Sequence, residues 1–175
     1  MSNGHLFEEG GSGYSIARDA IKAALADSEG TGAHTLLRTM LEQKLGTDVF
    51  SAIATFYNGG KHLIASFAPL VSQAAEQGDA IANAIIERNA ACVVALAHDA
   101  LRLSQKSYHD VYLMGGLVRD RLFCNAIDAR ADDVTFHYIS APQVLGAVRM
   151  AAREAGLAPD AAFSARFLET LEVAP

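Results

Sequence analysis

The chain has 175 residues, with 14 Lys and Arg against 20 Asp and Glu, giving a formal charge of −6. That balance excludes a basic nucleic-acid-binding domain as the default, and 51% hydrophobic against 19% charged residues excludes a disordered chain. Alanine supplies 33 residues, aromatics only 7% and Trp none, a composition that favours helix over a β-sandwich. The length suits one domain, since domains commonly run ~100–200 residues. No run approaches the ~18–20 consecutive apolar residues of a spanning helix, and the start lacks the charged-then-apolar order of a signal peptide. A soluble, cytoplasmic protein with no membrane or nucleic-acid partner is expected. Cys92 and Cys124 sit in apolar helical patterns without metal-type spacing and read as reduced, buried side chains, with a disulfide possible only if their helices cross.

In chain order, a Gly-rich opening precedes Ile16, Ala20, Ile21, Ala24 and Leu25 at helical spacing, and Gly30 and Gly32 end that first helix. A second helix is predicted over 33–45, with Leu36, Leu37, Met40, Leu41 and Leu45 on one stripe and Gly46 as its C-cap. Thr47 or Asp48 can cap a third, whose inner face is Val49, Ile53, Phe56 and Tyr57 and which should stop at Asn58-Gly59-Gly60. After a break near Pro69 the longest helix runs over 79–105, capped by Asp79, with Ile81, Ile85, Ile86, Val93, Leu96, Ala97 and Leu101 inward. The period then changes. Residues 108–116, ending VYLMGG, read as a buried strand and a turn, 119–130 as a helix, 134–139 as a second strand and 142–155 as a helix, the grammar of a parallel α/β unit. A terminal helix over 159–173 should dock on the body through Phe163, Phe167, Leu168 and Leu171. Two parallel strands alone leave unpaired edges, so another chain or segment is expected to complete the sheet.

Three segments could carry chemistry. Glu8-Glu9-Gly10-Gly11-Ser12-Gly13 combines carboxylates, backbone-exposing glycines and a helix N-terminus, although Ser12 can equally be a plain helix cap after a flexible start. Gly115-Gly116 follows a strand where open α/β sheets bind ligands, or forms only a tight turn. Gly146 within a helix suggests close helix packing. Arg119-Asp120-Arg121 is either a solvated first turn or a nucleotide contact. The six histidines are scattered without an i, i+4 pair, so no zinc site is expected.

In this order the segments resemble the C-terminal half of BadF/BadG-type ATPases, in the N-acetylglucosamine kinase branch of the actin-like sugar kinases. The family's acidic loop and following Y/W-x-I-x-R helix correspond to 8–13 and to Tyr14-Ser15-Ile16-Ala17-Arg18. APLVSQAAEQGD at 68–79, VYLMGG and PQVLGAVRMA match its helix pair, adenosine motif and final helix. Gly10 stands where the family has Glu, Glu8 replaces a Gly, and Asn3 falls where members often have Trp.

The resemblance implies an α/β, mostly helical chain forming a partial ribonuclease-H-like lobe with an incomplete parallel sheet. Within it, 1–107 would be a helical part, 108–158 a nucleotide-side strand-helix-strand-helix part and 159–175 a terminal helix. It implies ATP and Mg2+ as cofactors, a sugar or amino-sugar substrate, Glu9 facing sugar hydroxyls with Gly11 and Ser12 supporting the loop, and Gly115 and Gly116 facing adenosine. It also implies a preceding lobe with a phosphate loop and catalytic base, so this chain alone would be inactive and would pair with that lobe or a second copy as a homo-oligomer. The alternative is a non-catalytic helical binding or oligomerisation module.

Overall fold

A computed structural model describes residues 10–104, 107 and 109–173. The chain is mostly helical, in the order α1 (Gly13–Glu29), α2 (Leu36–Leu45), α3 (Ile53–Ala65), α4 (Ala68–Glu76), α5 (Ala80–Ser104), β1 (Asp110–Met114), α6 (Arg121–Asp128), β2 (Thr135–Ile139), α7 (Gln143–Glu154) and α8 (Ala161–Val173). A short 3-10 helix, Gly116–Arg119, joins β1 to α6.

Local chemistry sets most of these boundaries. Ser12 and Ser15 form a reciprocal capping box at the start of α1, and Gly30, in the left-handed region, closes its end. Thr35 caps α2 two residues inside the expected start at 33, and Gly46 ends it as expected. Asp48 accepts a hydrogen bond from the Ser51 N–H (2.9 Å), which closes the turn ahead of α3 rather than capping α3 itself. Pro69 sits in the first turn of α4, where its missing N–H is harmless.

Asp79 does more than cap α5. Its Oδ1 accepts from the Ala82 N–H (2.8 Å), while Oδ2 accepts from the Thr35 hydroxyl (2.8 Å) and the Leu36 N–H (2.6 Å). One carboxylate therefore holds the starts of two helices together.

The core gathers Ala17, Ala20 and Ala24 of α1, Leu37 and Leu41 of α2, Val71 and Ala74 of α4, and the inward stripe of α5. Small buried alanines let α1, α4 and α5 approach closely. The stripe of α5 runs through Ala82, Ile85, Ile86, Asn89, Ala90, Val94 and Ala97. Leu96, expected inward, is 57% exposed because it lies off that stripe. Among the described residues α5 is the one helix long and apolar enough to cross a membrane, although Glu87 and Arg88 interrupt its apolar run.

Several expectations are corrected. The glycine pair in α3 breaks the helical path as expected, but a second helical stretch follows directly instead of a loop. Gly60 takes φ 60° and ψ −159°, outside the left-handed helical cap, and the helix resumes to Ala65 while the Leu63 side chain fills the space beside Gly59. Phe56 points inward, meeting Phe67 edge-to-face at 5.7 Å, whereas Tyr57 is 86% exposed on the opposite side. Helix 119–130 is divided: the 3-10 turn ends at Arg119 and Asp120 caps a shorter α6. Gly146 meets no neighbouring atom within 4 Å, so close helix packing does not explain it. Cys92 and Cys124 are free and half-buried rather than buried.

The sheet is two-stranded and parallel, with Asp110 opposite Thr135 and Met114 opposite Ile139. Val111, Leu113, Phe136 and Tyr138 face the core. On the other face Tyr112 stacks on His137 at 4.7 Å, and His137 pairs with Asp110 at 2.6 Å. Each strand keeps one edge unpaired among the described residues. Helices α7 and α8 pack on each other, and neither contributes to the central core cluster; of the expected docking residues, Phe163, Phe167 and Leu168 are half-buried and Leu171 is exposed.

Candidate cleft between the glycine loop and the strand turn

The first turn of α1 faces the turn after β1 across a cleft of about 620 Å3. One wall is Ser12, Gly13 and Tyr14, the other Gly116, Leu117, Arg119 and Asp120, and Lys61, Pro69 and Ser72 of α3 and α4 close the side. A narrower apolar recess of about 250 Å3 continues inward between Gly11, Val93, Leu113, Phe123 and Ile127. The larger volume falls within the ~300–1,000 Å3 typical of small-molecule sites.

Three of the five sequence-selected residues meet here. Gly11 and Ser12 lie on one wall, and Gly116 lies on the other, where a Cβ would meet nothing within 4 Å. Gly115 lines neither cavity. It has φ 120° at the end of β1 and turns the chain so that Gly116 reaches the cleft. Glu8 and Glu9 lie outside the described residues.

The glycines of the loop serve a purpose the sequence did not disclose. A Cβ at Gly10 would sit 2.8 Å from the Cys92 Sγ, and one at Gly11, where φ is 85°, would sit 2.8 Å from the Val93 Cγ2. Their first role is to let the loop press against α5.

Charge across the cleft is mixed. Lys61 and Arg119 contribute cations, and Arg119 also reaches the Ser140 carbonyl at 3.4 Å. The Asp120 carboxylate takes a short hydrogen bond from the Ser72 hydroxyl on one oxygen and the Phe123 N–H (3.2 Å) on the other. It thereby ties α4 to α6 across the floor. Arg119 and Asp120 therefore face the cleft, while Arg121 is absent from its lining. Lys61 and Ser72 escaped the sequence reading because each lies in a helix with no motif around it. Burial, and then the Asp120 and Asp128 carboxylates, push the Cys124 thiol up, which makes it a poor nucleophile. Tyr138 is likewise pushed up by burial and by its hydrogen bond to Asp128 (2.7 Å).

Among the described residues no group of three or more His, Cys, Asp or Glu could hold a metal ion. No protein-family model matches the chain, and no curated protein matches it either.

Proposed function

We propose that the chain is the C-terminal half of an ATP-dependent kinase acting on a sugar or amino sugar of the N-acetylglucosamine type, with a ribonuclease-H-like lobe and ATP in the cleft between Ser12–Gly13 and Gly116–Asp120. The observation that carries the reading is convergence: two glycine segments far apart in sequence, selected separately, share one cleft of nucleoside size. Open space over Gly116 suits a flat ring or ribose against the backbone, and Lys61 and Arg119 suit an anionic ligand. ATP would supply the transferred phosphoryl group and Mg2+ would neutralise its charge. With Asp120 already engaged by Ser72 and Phe123, the cation would be held mainly through the phosphates, as is common for Mg2+. By resemblance Glu9 would accept hydrogen bonds from sugar hydroxyls while Gly11 and Ser12 fix the loop that carries it.

The test is calorimetric titration of the chain with Mg2+ and ATP. Binding is expected, and Gly116→Val, which projects into open space, should weaken it without lowering stability. No heat of binding at millimolar nucleotide refutes the nucleotide reading and favours the non-catalytic module. This chain's motifs include no phosphate loop or catalytic base, so phosphorylation of N-acetylglucosamine by the pure chain would refute the half-kinase reading. The open strand edges suit a further strand, from a first lobe or a second copy, and a strictly monomeric species by light scattering at high concentration would argue against the second copy.

A further inference from the structure

We propose that Asn89, in the middle of α5, is the positioning residue of the glycine loop: it holds Gly10–Gly13 at the wall of the cleft. The proposal rests on reading that cleft as the nucleotide site. Asn89 is 1% exposed and lies on a stripe that is otherwise Ala, Ile and Val. A polar side chain there is unfavourable unless its hydrogen-bonding groups are satisfied. Its Oδ1 accepts from the Gly11 N–H at 2.9 Å and lies 2.8 Å from the Ser15 hydroxyl, and its Nδ2 donates to the Ile85 carbonyl at 2.9 Å. The orientation of the amide is fixed by chemistry, since a backbone N–H can only donate and a carbonyl can only accept.

The rest of the loop closes on this anchor. The Ser12 N–H donates to the Ser15 Oγ at 2.9 Å and the Ser15 N–H to the Ser12 Oγ at 3.1 Å. The single hydroxyl proton of Ser15 serves either Asn89 or the Ser12 carbonyl, also 2.8 Å away. The Gly11 and Ser12 N–H groups are thus both taken up by partners within the fold. Gly10 also sits close on Cys92 and Gly11 on Val93, each with no room for a Cβ. The wall that Ser12 and Gly13 present is therefore organised before any ligand arrives, and its anchor lies on a different element from the one that lines the cleft.

The test uses the full chain with Asn89→Leu, which keeps bulk but loses both polar groups, and Asn89→Asp, which keeps the acceptor. Hydrogen exchange at Gly11 and the Kd for Mg2+ and ATP are measured for each. Loss of one partly buried hydrogen bond corresponds to about a tenfold change. Asn89→Leu is expected to speed Gly11 exchange and to weaken nucleotide binding by about that factor; Asn89→Asp keeps the acceptor for Gly11 but sets its second oxygen against the Ile85 carbonyl, so it should lower Tm while keeping Gly11 exchange and Kd closer to the parent than Asn89→Leu does. Val94→Ala, which removes core volume from the same helix, should lower Tm without changing either reading, and Asn89→Ala substitutes if Asn89→Leu does not fold. Unchanged Gly11 exchange in Asn89→Leu overturns the proposal, as does faster exchange with an unchanged Kd. If the parent chain binds no nucleotide, the function proposed above fails, and Gly11 exchange still decides whether Asn89 holds the loop.

Discussion

Replacing Asp79 by Ala tests whether a single carboxylate organises the helical half. Three donors lose their acceptor at once: the Ala82 N–H at the start of α5, and the Thr35 hydroxyl and Leu36 N–H at the start of α2. Loss of an N-cap costs about 1 kcal/mol. Each of the other two donors, the Thr35 hydroxyl and the Leu36 N–H, costs about 1 kcal/mol more when left unpaired in a partly or fully buried setting. The expected loss is therefore about 3 kcal/mol, a large share of the ~5–15 kcal/mol that holds a domain folded. For a chain of this size that corresponds to a fall in Tm of roughly 6–12 °C. Urea unfolding gives the free energy directly, and Asp79→Asn, which keeps one acceptor oxygen, should fall between the two. A loss below about 1 kcal/mol for Asp79→Ala would refute the double cap. The pH dependence gives a second reading. Burial alone raises the Asp79 carboxyl, but the N–H groups of Ala82, Leu36 and Ile81 and the Thr35 hydroxyl outweigh it and hold it below the ordinary 3.8. A depressed folded value means that the unfolded chain binds more protons in that window. The contribution of Asp79 is thus complete above 3.8 and is lost as the pH falls through the lower folded value, a loss Asp79→Ala should not show.

Gly11→Ala should destabilise the chain by about 1–2 kcal/mol in urea, because an L-residue is strained at φ 85° and its Cβ meets Val93. Equal stability would mean that the loop does not press on α5. Cys124 should react with iodoacetamide more slowly in the folded chain than in urea, since burial and two nearby carboxylates raise its thiol, and peptide mass spectrometry reads the ratio. A faster reaction when folded would contradict that environment. Lys44 donates to the Ser66 carbonyl at 2.8 Å and lies 4.8 Å from the Phe67 ring centre, joining α2 to the α3–α4 corner. Lys44→Ala should cost about 0.5–1 kcal/mol in the same assay, and no change would assign both contacts to the solvated surface.

What could be read from the sequence follows physical range. Gly30, Gly46, Pro69 and Asp79 act within a turn of themselves, so their residue types announce helix ends directly. The strands Asp110–Met114 and Thr135–Ile139 were visible as compact β-rich runs, but the expectation of a buried first strand holds for one face only: Val111 and Leu113 face the core while Tyr112 and Met114 are exposed. Other features depended on which neighbour arrives. Tyr57 and Leu96 satisfied helical spacing, yet the packing of α1, α4 and α6 left them outside. Asn89 looked like an ordinary helix residue, because only the arrival of Gly11 and Ser15 gives it partners. The cleft was half legible for the same reason. Glycines at 11 and 116 marked backbone exposure, but Lys61 and Ser72 become cleft residues only when α3 and α4 fold against α1.

Stability should be unevenly distributed, and α5 divides the two regimes. Its start is bound to α2 through Asp79, its middle to the glycine loop through Asn89, and Glu87 forms an ion pair with Arg130 just beyond α6. Polar groups that are paired only in the native arrangement make local opening of α5 costly, since opening would strand several of them together. Among the described residues, helices α7 and α8 show no such ties. On α7 only Ala152 is buried, whereas Val144 and Met150, together with Leu157 just past its end, are exposed. Free energies of local opening track buried apolar contacts and paired backbone groups. Hydrogen exchange followed by mass spectrometry should therefore show amides of α5 opening only with global unfolding, while those of α7 and α8 exchange at lower free energy and before it. Matching protection in α7 and α5 would refute this division. It would also mean that the exposed apolar side chains of α7 are covered in solution, so the same measurement repeated across protein concentrations would report whether a second copy supplies the cover.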